Sequence, residues 1–97
     1  MFGKRYWRIR GYDGDDMTYE KLIPEGSLRE SDIVALLQRL SARHLAEDEI
    51  VSSSIRHSVS GYLPHLEPQI CKDDHHTVRV GTGVYYVAGI FARNELK

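Results

Sequence analysis

Three features of this sequence predict an α+β fold: a charged, alternating N-terminal segment, an amphipathic helical middle and apolar C-terminal strands. Residues 28–44 repeat apolar side chains at the spacing of one helix face, whereas residues 4–23 and 77–93 show the shorter period of strands. Because strands occur at both ends, we expect one antiparallel sheet, made of an N-terminal β-hairpin and C-terminal strands, with a two-helix hairpin packed on one face. The length fits a single domain, 1–97.

The N-terminal β-hairpin is predicted over residues 4–23. Trp7 and Ile9 alternate with polar and charged neighbours, which indicates one apolar and one amphipathic face. Residues 12–16 are typical of a turn, and residues 17–23 form the returning strand.

A turn centred near Gly14 determines which residues of the two strands lie opposite each other. It predicts that Arg8 faces Glu20 and that Trp7 faces Lys21. The basic first strand and the acidic region that follows it would then neutralise each other.

The first helix is predicted over residues 28–44. Ser27 and Glu30 have the spacing of a capping box, in which a hydroxyl and a carboxylate satisfy free amide groups of the first turn. The buried face follows at positions i, i+3, i+4 and i+7, which are occupied by Ile33, Leu36, Leu37 and Leu40.

A second, shorter helix is predicted within residues 46–57. Three acidic residues come first, where they favour the positive end of the helix dipole. A strand is the alternative, because the segment also contains the β-branched residues Ile50, Val51 and Ile55.

The C-terminal part is expected to supply the remaining strands. Residues 66–71 are interpreted as a short edge strand, and residues 77–80 alternate apolar and polar side chains. Residues 81–83 (Gly-Thr-Gly) provide a turn. Residues 84–93 are apolar on both faces, which predicts a central strand or a strand whose second face is covered by a partner.

The charge balance and the cysteine count exclude several classes of protein. The formal net charge is −1, whereas duplex-binding domains usually carry a clear basic excess. Cys71 is the single cysteine, so no disulfide forms within the chain and no oxidising compartment is implied. The sequence has no secretory signal and no apolar run long enough to span a bilayer. We therefore expect a cytoplasmic protein that does not bind membranes.

The densest polar segment precedes the last two predicted strands. Its side chains are of the types that bind zinc: His65, Cys71, Asp73, His75 and His76. Structural zinc sites usually combine two closely spaced pairs of ligands, and that spacing is missing here. We interpret the segment as a solvated loop and expect no metal and no cofactor, with a metal-dependent hydrolase as the alternative.

Three further motifs do not meet the requirements of the chemistry they suggest. The acidic residues of 13–16 lack the glycine and glutamate that an EF-hand needs at its sixth and twelfth positions. Residues 81–83 lack the third glycine and the following helix of a dinucleotide-binding loop. Ser53 and His57 would lie one helical turn apart, but no third catalytic group accompanies them.

The first strand carries four positive charges and no acidic residue within the first ten positions. Sheets hold single-stranded nucleic acid with such aromatic and guanidinium side chains, and the candidate contacts are Tyr6, Arg8 and Arg10. Residues 11–20 carry four acids, so cross-strand ion pairs explain the same pattern and are favoured over nucleic acid.

The C-terminal strands are similar in architecture to those of small toxin ribonucleases. Those enzymes are also α+β domains of about this length, and they end in strands that carry catalytic arginine, tyrosine or histidine. Such residue types are supplied here by Arg79, Tyr85, Tyr86 and Arg93. The similarity implies an RNase-like alternative, against which the near-zero net charge counts.

We favour a non-enzymatic interaction or regulatory module that self-associates as a dimer. The last strand is apolar on both faces, and a small domain with few helices leaves part of such a strand for another subunit. The expected interaction surface comprises Tyr85, Tyr86 and Phe91. The same surface could also bind a different protein. The alternatives are an enzyme that uses residues 65–76 or the C-terminal strands, and a single-stranded nucleic-acid binder that uses the first strand.

Overall fold

A computed structural model describes residues 4–96 and contains one five-stranded sheet. The strands are β1 (Arg5–Asp13), β2 (Asp16–Pro24), β3 (Gln69–Cys71), β4 (Thr77–Gly81) and β5 (Val84–Ala92). They are ordered β2-β1-β5-β4-β3, and every neighbouring pair is antiparallel. The chain also forms two helices, α1 (Glu30–Ala42) and α2 (Glu47–Ser54). The predicted α+β fold is confirmed, including the short edge strand and the returning strand of the hairpin.

β5 is the central strand, because it pairs with β1 on one side and with β4 on the other. Successive side chains of a strand point to opposite faces of the sheet. Tyr86 and Ala88 are buried on the face that α1 covers, whereas Tyr85 and Phe91 lie on the opposite face. One apolar face of this strand therefore packs in the core under α1, and the other contacts side chains on the opposite side of the sheet.

α1 packs on β4 and β5 through the apolar face that the sequence predicts. Ile33 and Leu37 are fully buried, and Leu36 and Leu40 lie partly buried beside them. The Ser41 hydroxyl donates to a carbonyl oxygen of β4 at 3.1 Å, which ties the last turn of the helix to the sheet. The sheet contributes Trp7, Ile9, Val78, Val80, Tyr86 and Ala88 to the same core.

The start of α1 differs from the prediction. Ser27 lies in a short 3₁₀ turn, and Arg29 is the residue that precedes the helix. The Asp32 carboxylate accepts a hydrogen bond from the Arg29 amide at 3.0 Å, so Asp32 caps the first turn. The predicted capping box of Ser27 and Glu30 is wrong, because the Glu30 side chain turns towards the loop that precedes β4.

α2 is the short helix that the acidic run predicts. The Glu49 carboxylate accepts a hydrogen bond from the Ala46 amide at 2.8 Å. The helix packs on a 3₁₀ turn, Pro64–Leu66, which itself contacts α1 and β4. Both helices therefore lie on one side of the sheet. Among residues 4–96, no helix is long and apolar enough to cross a membrane.

The pairing of β1 with β2 is shifted by two residues from the prediction. Arg8 lies opposite Leu22, and Arg10 lies opposite Glu20, because the hairpin closes at residues 13–16 and the register changes near the turn. Both predicted pairs are therefore wrong. A shift of two residues keeps every side chain on its predicted face, so the division into an apolar and an amphipathic face survives.

Gly11 allows the ring of Tyr86 to lie against β1. A Cβ atom at Gly11 would lie 2.5 Å from Cε2 of that buried ring, whose hydroxyl is 2.9 Å from Nε2 of His44. We expect Gly11→Ala to lower the free energy of unfolding by about 1–3 kcal/mol, as overpacking of a core does. Urea denaturation measures this. Gly26→Ala is the matched control, since a Cβ atom there meets nothing within 4 Å, and equal losses would contradict the account.

Candidate functional site

The face of the sheet opposite the helices carries the candidate site. Residues that pair across strands point to the same side, so the register identifies the side chains that share this face. They include Tyr6, Arg8, Arg10 and Tyr12 of β1, Tyr85 and Phe91 of β5, and Arg79 of β4. We call this surface the open face. Among the strand residues that face it, three arginines accompany one acid, Glu20.

Tyr85 lies between two stacked neighbours, and we call this row the Tyr85 column. The ring of Tyr12 stacks on it with centroids 5.2 Å apart and planes 20° apart. On the β4 side, Cζ of Arg79 lies 3.9 Å from the centroid of the Tyr85 ring. Contacts between a guanidinium and an aromatic ring contribute about 0.5–1 kcal/mol at exposed positions. The column therefore connects three strands through side chains as well as through backbone bonds.

Phe91 lies in a second row, the Phe91 column. Cζ of Arg8 is 3.9 Å from its ring centroid, and the ring of His75 is stacked on it, also at 3.9 Å. Nδ1 of His75 donates to the carbonyl oxygen of Ile90 at 3.0 Å, and Nε2 lies 3.7 Å from the Glu95 carboxylate. The imidazole is therefore held in place from two sides.

In each column, neighbouring side chains cover both faces of the central aromatic ring. Tyr85 has a ring on one face and a guanidinium on the other, and Phe91 has a guanidinium and an imidazole. Their ring faces are consequently not available for stacking with a ligand. The groups left for a ligand are the N–H groups of the guanidinium ions and the hydroxyl groups of the tyrosines.

The arginines of the open face differ in how their charge is compensated. Arg10 donates to the Glu20 carboxylate at 2.7 Å. Across residues 4–96, neither Arg8 nor Arg79 has a carboxylate within 4 Å. Partial burial, and next the charge of Arg10, lower the pKa of Arg8 below its usual value, although an arginine stays protonated. The guanidinium groups of Arg8 and Arg79 are therefore positioned by aromatic rings and not by carboxylates.

A cavity lies at the β1–β2 end of the open face. Its volume is about 380 Å³, and it is lined by Tyr6, Leu22, Arg93 and Leu96. This size is at the lower end of the range for small-molecule sites. The combination of apolar walls with one guanidinium suits a planar ligand that carries hydrogen-bond acceptors.

Tyr86 does not belong to this surface. Only 4% of it is exposed, and it packs in the core with its hydroxyl near His44. Neighbouring residues of one strand point to opposite faces, so Tyr85 and Tyr86 cannot contribute to the same surface. Of the predicted interaction residues, Tyr85 and Phe91 lie on the open face and Tyr86 must be removed from the set. The residues of the RNase-like alternative do not share one surface either, because Tyr86 is buried in the core while Tyr85 and Arg79 lie on the open face.

The predicted metal ligands do not come together. Nδ1 of His65 lies 2.7 Å from the Thr82 hydroxyl, and Cys71 is exposed on the edge strand β3. Nε2 of His76 contacts the Glu30 carboxylate, and Nδ1 of His75 donates to the Ile90 carbonyl oxygen. The Asp73 carboxylate accepts hydrogen bonds from the backbone of its own loop. Within the described part of the chain, no three histidine, cysteine or acidic side chains form a group that could hold a metal ion.

Ser53 and His57 are not arranged as a nucleophile and a base. α2 ends at Ser54, so His57 lies beyond the helix and is exposed, with its ring 4.4 Å from that of Tyr62. The Ser53 hydroxyl is buried and has no hydrogen-bond partner among the described residues. The predicted spacing of one helical turn is therefore lost.

The sequence predicts Tyr6, Arg8 and Arg10 as candidate nucleic-acid contacts, and Tyr85 and Phe91 as part of an interaction surface. The structure places all five on the open face. Tyr12 belongs to the predicted turn, but it follows Arg10 by two residues and Arg8 by four. Alternate residues of a strand share one face, so this spacing indicates that Tyr12 lies on the face of both arginines. Comparisons with protein-family models, with curated proteins and with solved structures give no match.

Asp73 stabilises the loop between β3 and β4. Its carboxylate accepts hydrogen bonds from the His75 amide at 3.1 Å and from the hydroxyl and amide of Thr77 at 3.2 and 3.4 Å. Loss of hydration acts to raise the pKa of Asp73, but these hydrogen bonds outweigh it and lower the pKa. Because the folded pKa lies below the unfolded one, the stabilisation is present above about pH 4 and is lost as the pH falls through the folded pKa.

We expect Asp73→Asn to lower the melting temperature at pH 7, and we expect the deficit to shrink as the pH falls below about 4 and the wild-type carboxylate becomes protonated through its lowered folded pKa. Thermal unfolding followed by circular dichroism between pH 7 and pH 3 measures both effects. Asp74→Asn is the matched control, since Asp74 accepts no hydrogen bond from residues 4–96. A deficit that stays constant with pH would contradict the assigned role.

His76 is the one described residue other than glycine with a positive φ, 51°. This conformation costs an ordinary residue roughly 1–2 kcal/mol and costs glycine almost nothing. His76→Gly and His76→Ala both remove the contact with Glu30, so their difference isolates the backbone. We expect the glycine variant to be more stable by about 1 kcal/mol in urea denaturation. An alanine variant of equal or greater stability would rule out the strain.

Proposed function

We propose that the protein binds single-stranded nucleic acid on the open face, without catalysing a reaction. The observation that carries this proposal is the pair of stacked columns, which hold Arg8 and Arg79 as cations with no acidic partner within 4 Å in residues 4–96. Positively charged surfaces that follow the phosphate backbone are a common way of holding single strands.

The sign of the charge favours an anionic partner over a second copy on this face. In a two-fold symmetric dimer the same patch meets itself, so Arg8 and Arg79 would approach the same cations of the other copy. Like charges brought together across an interface cost several kcal/mol. Of the fourteen acidic residues, three lie in the hairpin turn and three at the start of α2.

The cavity beside Tyr6 favours a single strand over a duplex. Among residues 4–96, no aromatic ring or cation stacks on the Tyr6 ring, unlike the rings of the two columns. An unpaired base can enter this cavity and stack on the ring while Arg93 contacts its acceptor atoms, whereas a paired base cannot. The phosphates then follow Arg8 and Arg79 across the sheet, since Glu20 already compensates Arg10.

The test is fluorescence anisotropy with fluorescein-labelled dT₁₂ and rU₁₂ in 50 mM NaCl. We expect saturable binding, with a slope of log K against log salt of roughly −1.4, because two phosphate contacts contribute about 0.7 each. Arg8→Ala and Arg79→Ala should each weaken binding at least about tenfold, since a charge-assisted hydrogen bond contributes about 1.5–3 kcal/mol. Circular dichroism establishes that each variant is folded.

Arg43→Ala is the matched control for these variants. Arg43 is exposed just after α1, on the helix side of the sheet, so its loss removes the same charge without touching the open face. Equal weakening by Arg43→Ala would indicate nonspecific attraction, and the absence of saturable binding at 50 mM NaCl would overturn the proposal.

A further inference from the structure

A second cavity lies on the helix side of the sheet, where the start of β1 approaches the start of α1 and the loop that precedes β4. Its volume is about 380 Å³, which is large enough for a small molecule. Trp7 lines it and faces the core under α1, whereas its neighbours Tyr6 and Arg8 point to the open face. The cavity is therefore separate from the surface of the proposed function.

Two pairs of opposite charges on the wall of this cavity are already closed. Nε and Nη2 of Arg5 donate to the two carboxylate oxygens of Glu25 at 2.9 and 2.8 Å. Nε2 of His76 contacts the Glu30 carboxylate. All four residues line the cavity, so these charges are compensated by their neighbours before any ligand arrives.

Arg29 and Asp74 line the same cavity as opposite charges without a partner. Across residues 4–96, the Arg29 guanidinium has no carboxylate within 4 Å, and the Asp74 carboxylate has no basic group within 4 Å. The two residues therefore do not pair with each other, although both line the cavity. A ligand that carries one negative and one positive group can contact both at once.

An apolar wall lies beside these two charges. It is formed by Leu28 and Ile90, which are partly buried against the core. Trp7 is only 2% exposed and forms the inner end of the cavity, where its Nε1 donates to the Leu28 carbonyl oxygen at 3.0 Å. The cavity therefore combines one free cation and one free anion with a surface that suits an apolar group.

We propose that this cavity binds a free α-amino acid with an apolar side chain. The Arg29 guanidinium donates to the carboxylate of the ligand, and the Asp74 carboxylate accepts hydrogen bonds from its ammonium group. The apolar side chain packs on Leu28 and Ile90. A ligand with a single charge would leave either Arg29 or Asp74 uncompensated, whereas an amino acid compensates both.

The test is a titration of ¹⁵N-labelled protein with L-leucine at pH 7, followed by NMR. Trp7 is the single tryptophan of the chain, so its indole N–H gives one recognisable signal beside the cavity. We expect a saturable shift of this signal, with half-saturation below about 5 mM. Isocaproate lacks the ammonium group of leucine, and isoamylamine lacks its carboxylate. Each should bind at least about tenfold more weakly, because it loses a charge-assisted hydrogen bond.

Two variants connect the binding to the named residues. Arg29→Gln and Asp74→Asn each remove one charge at an exposed position, so the fold is retained, and each should weaken L-leucine binding at least about tenfold. Asp48→Asn is the matched control for Asp74→Asn. Asp48 is exposed at the start of α2 and does not line the cavity, so its loss should leave the affinity unchanged.

The absence of a saturable shift of the Trp7 signal up to about 20 mM L-leucine would overturn this inference. Equal binding of L-leucine and isocaproate would overturn it too, because Asp74 would then have no role. Equal weakening by Asp48→Asn and Asp74→Asn would contradict the assigned site. The titration contains no nucleic acid and does not involve the open face. Its failure therefore leaves the proposed function standing, and protein that binds L-leucine but neither dT₁₂ nor rU₁₂ would remove the proposed function alone.

Discussion

The central position of β5 is the constraint on which both faces of the sheet depend. It pairs with β1 along its whole length and with β4 at residues 85–88, so each of these four residues lies beside one residue from each neighbour. Its even-numbered residues, such as Tyr86 and Ala88, complete the core under α1. Its odd-numbered residues, such as Tyr85 and Phe91, receive arginines, a tyrosine and a histidine from the flanking elements. One strand therefore organises the core and the candidate site together.

The elements of the fold were predictable wherever the signal was local. The spacing of Ile33, Leu37 and Leu40 defines one face of α1, and that face is the one that packs on the sheet. The start of the helix was not predictable in the same way, because Ser27 and Asp32 both offer plausible caps. The direction of the chain after β2 decides between them, and that direction depends on tertiary contacts.

The candidate site was less predictable than the fold, because its contacts join residues far apart in sequence. Arg8 meets Phe91, and Arg79 meets Tyr85, only once the registers of β1, β4 and β5 are fixed. Without the registers, the sequence predicts these residues as parts of three separate surfaces: a nucleic-acid surface, a dimer interface and an RNase-like site. The histidine-rich segment shows the converse. His75 and His76 are adjacent in sequence but contact different partners, because both lie in the turn at residues 73–76 and His76 has a positive φ.

Two ways of holding a guanidinium occur side by side on this sheet, and they have different consequences for binding. Arg10 is held by a carboxylate, which orients it and cancels its charge. Arg8 and Arg79 are held by aromatic rings, which orient the guanidinium through stacking and leave its charge available. A cation that is already ordered loses less side-chain entropy when an anion arrives, so more of the interaction energy appears as affinity. The aromatic residues of the open face therefore contribute to binding by positioning the arginines, even though their own ring faces are occupied.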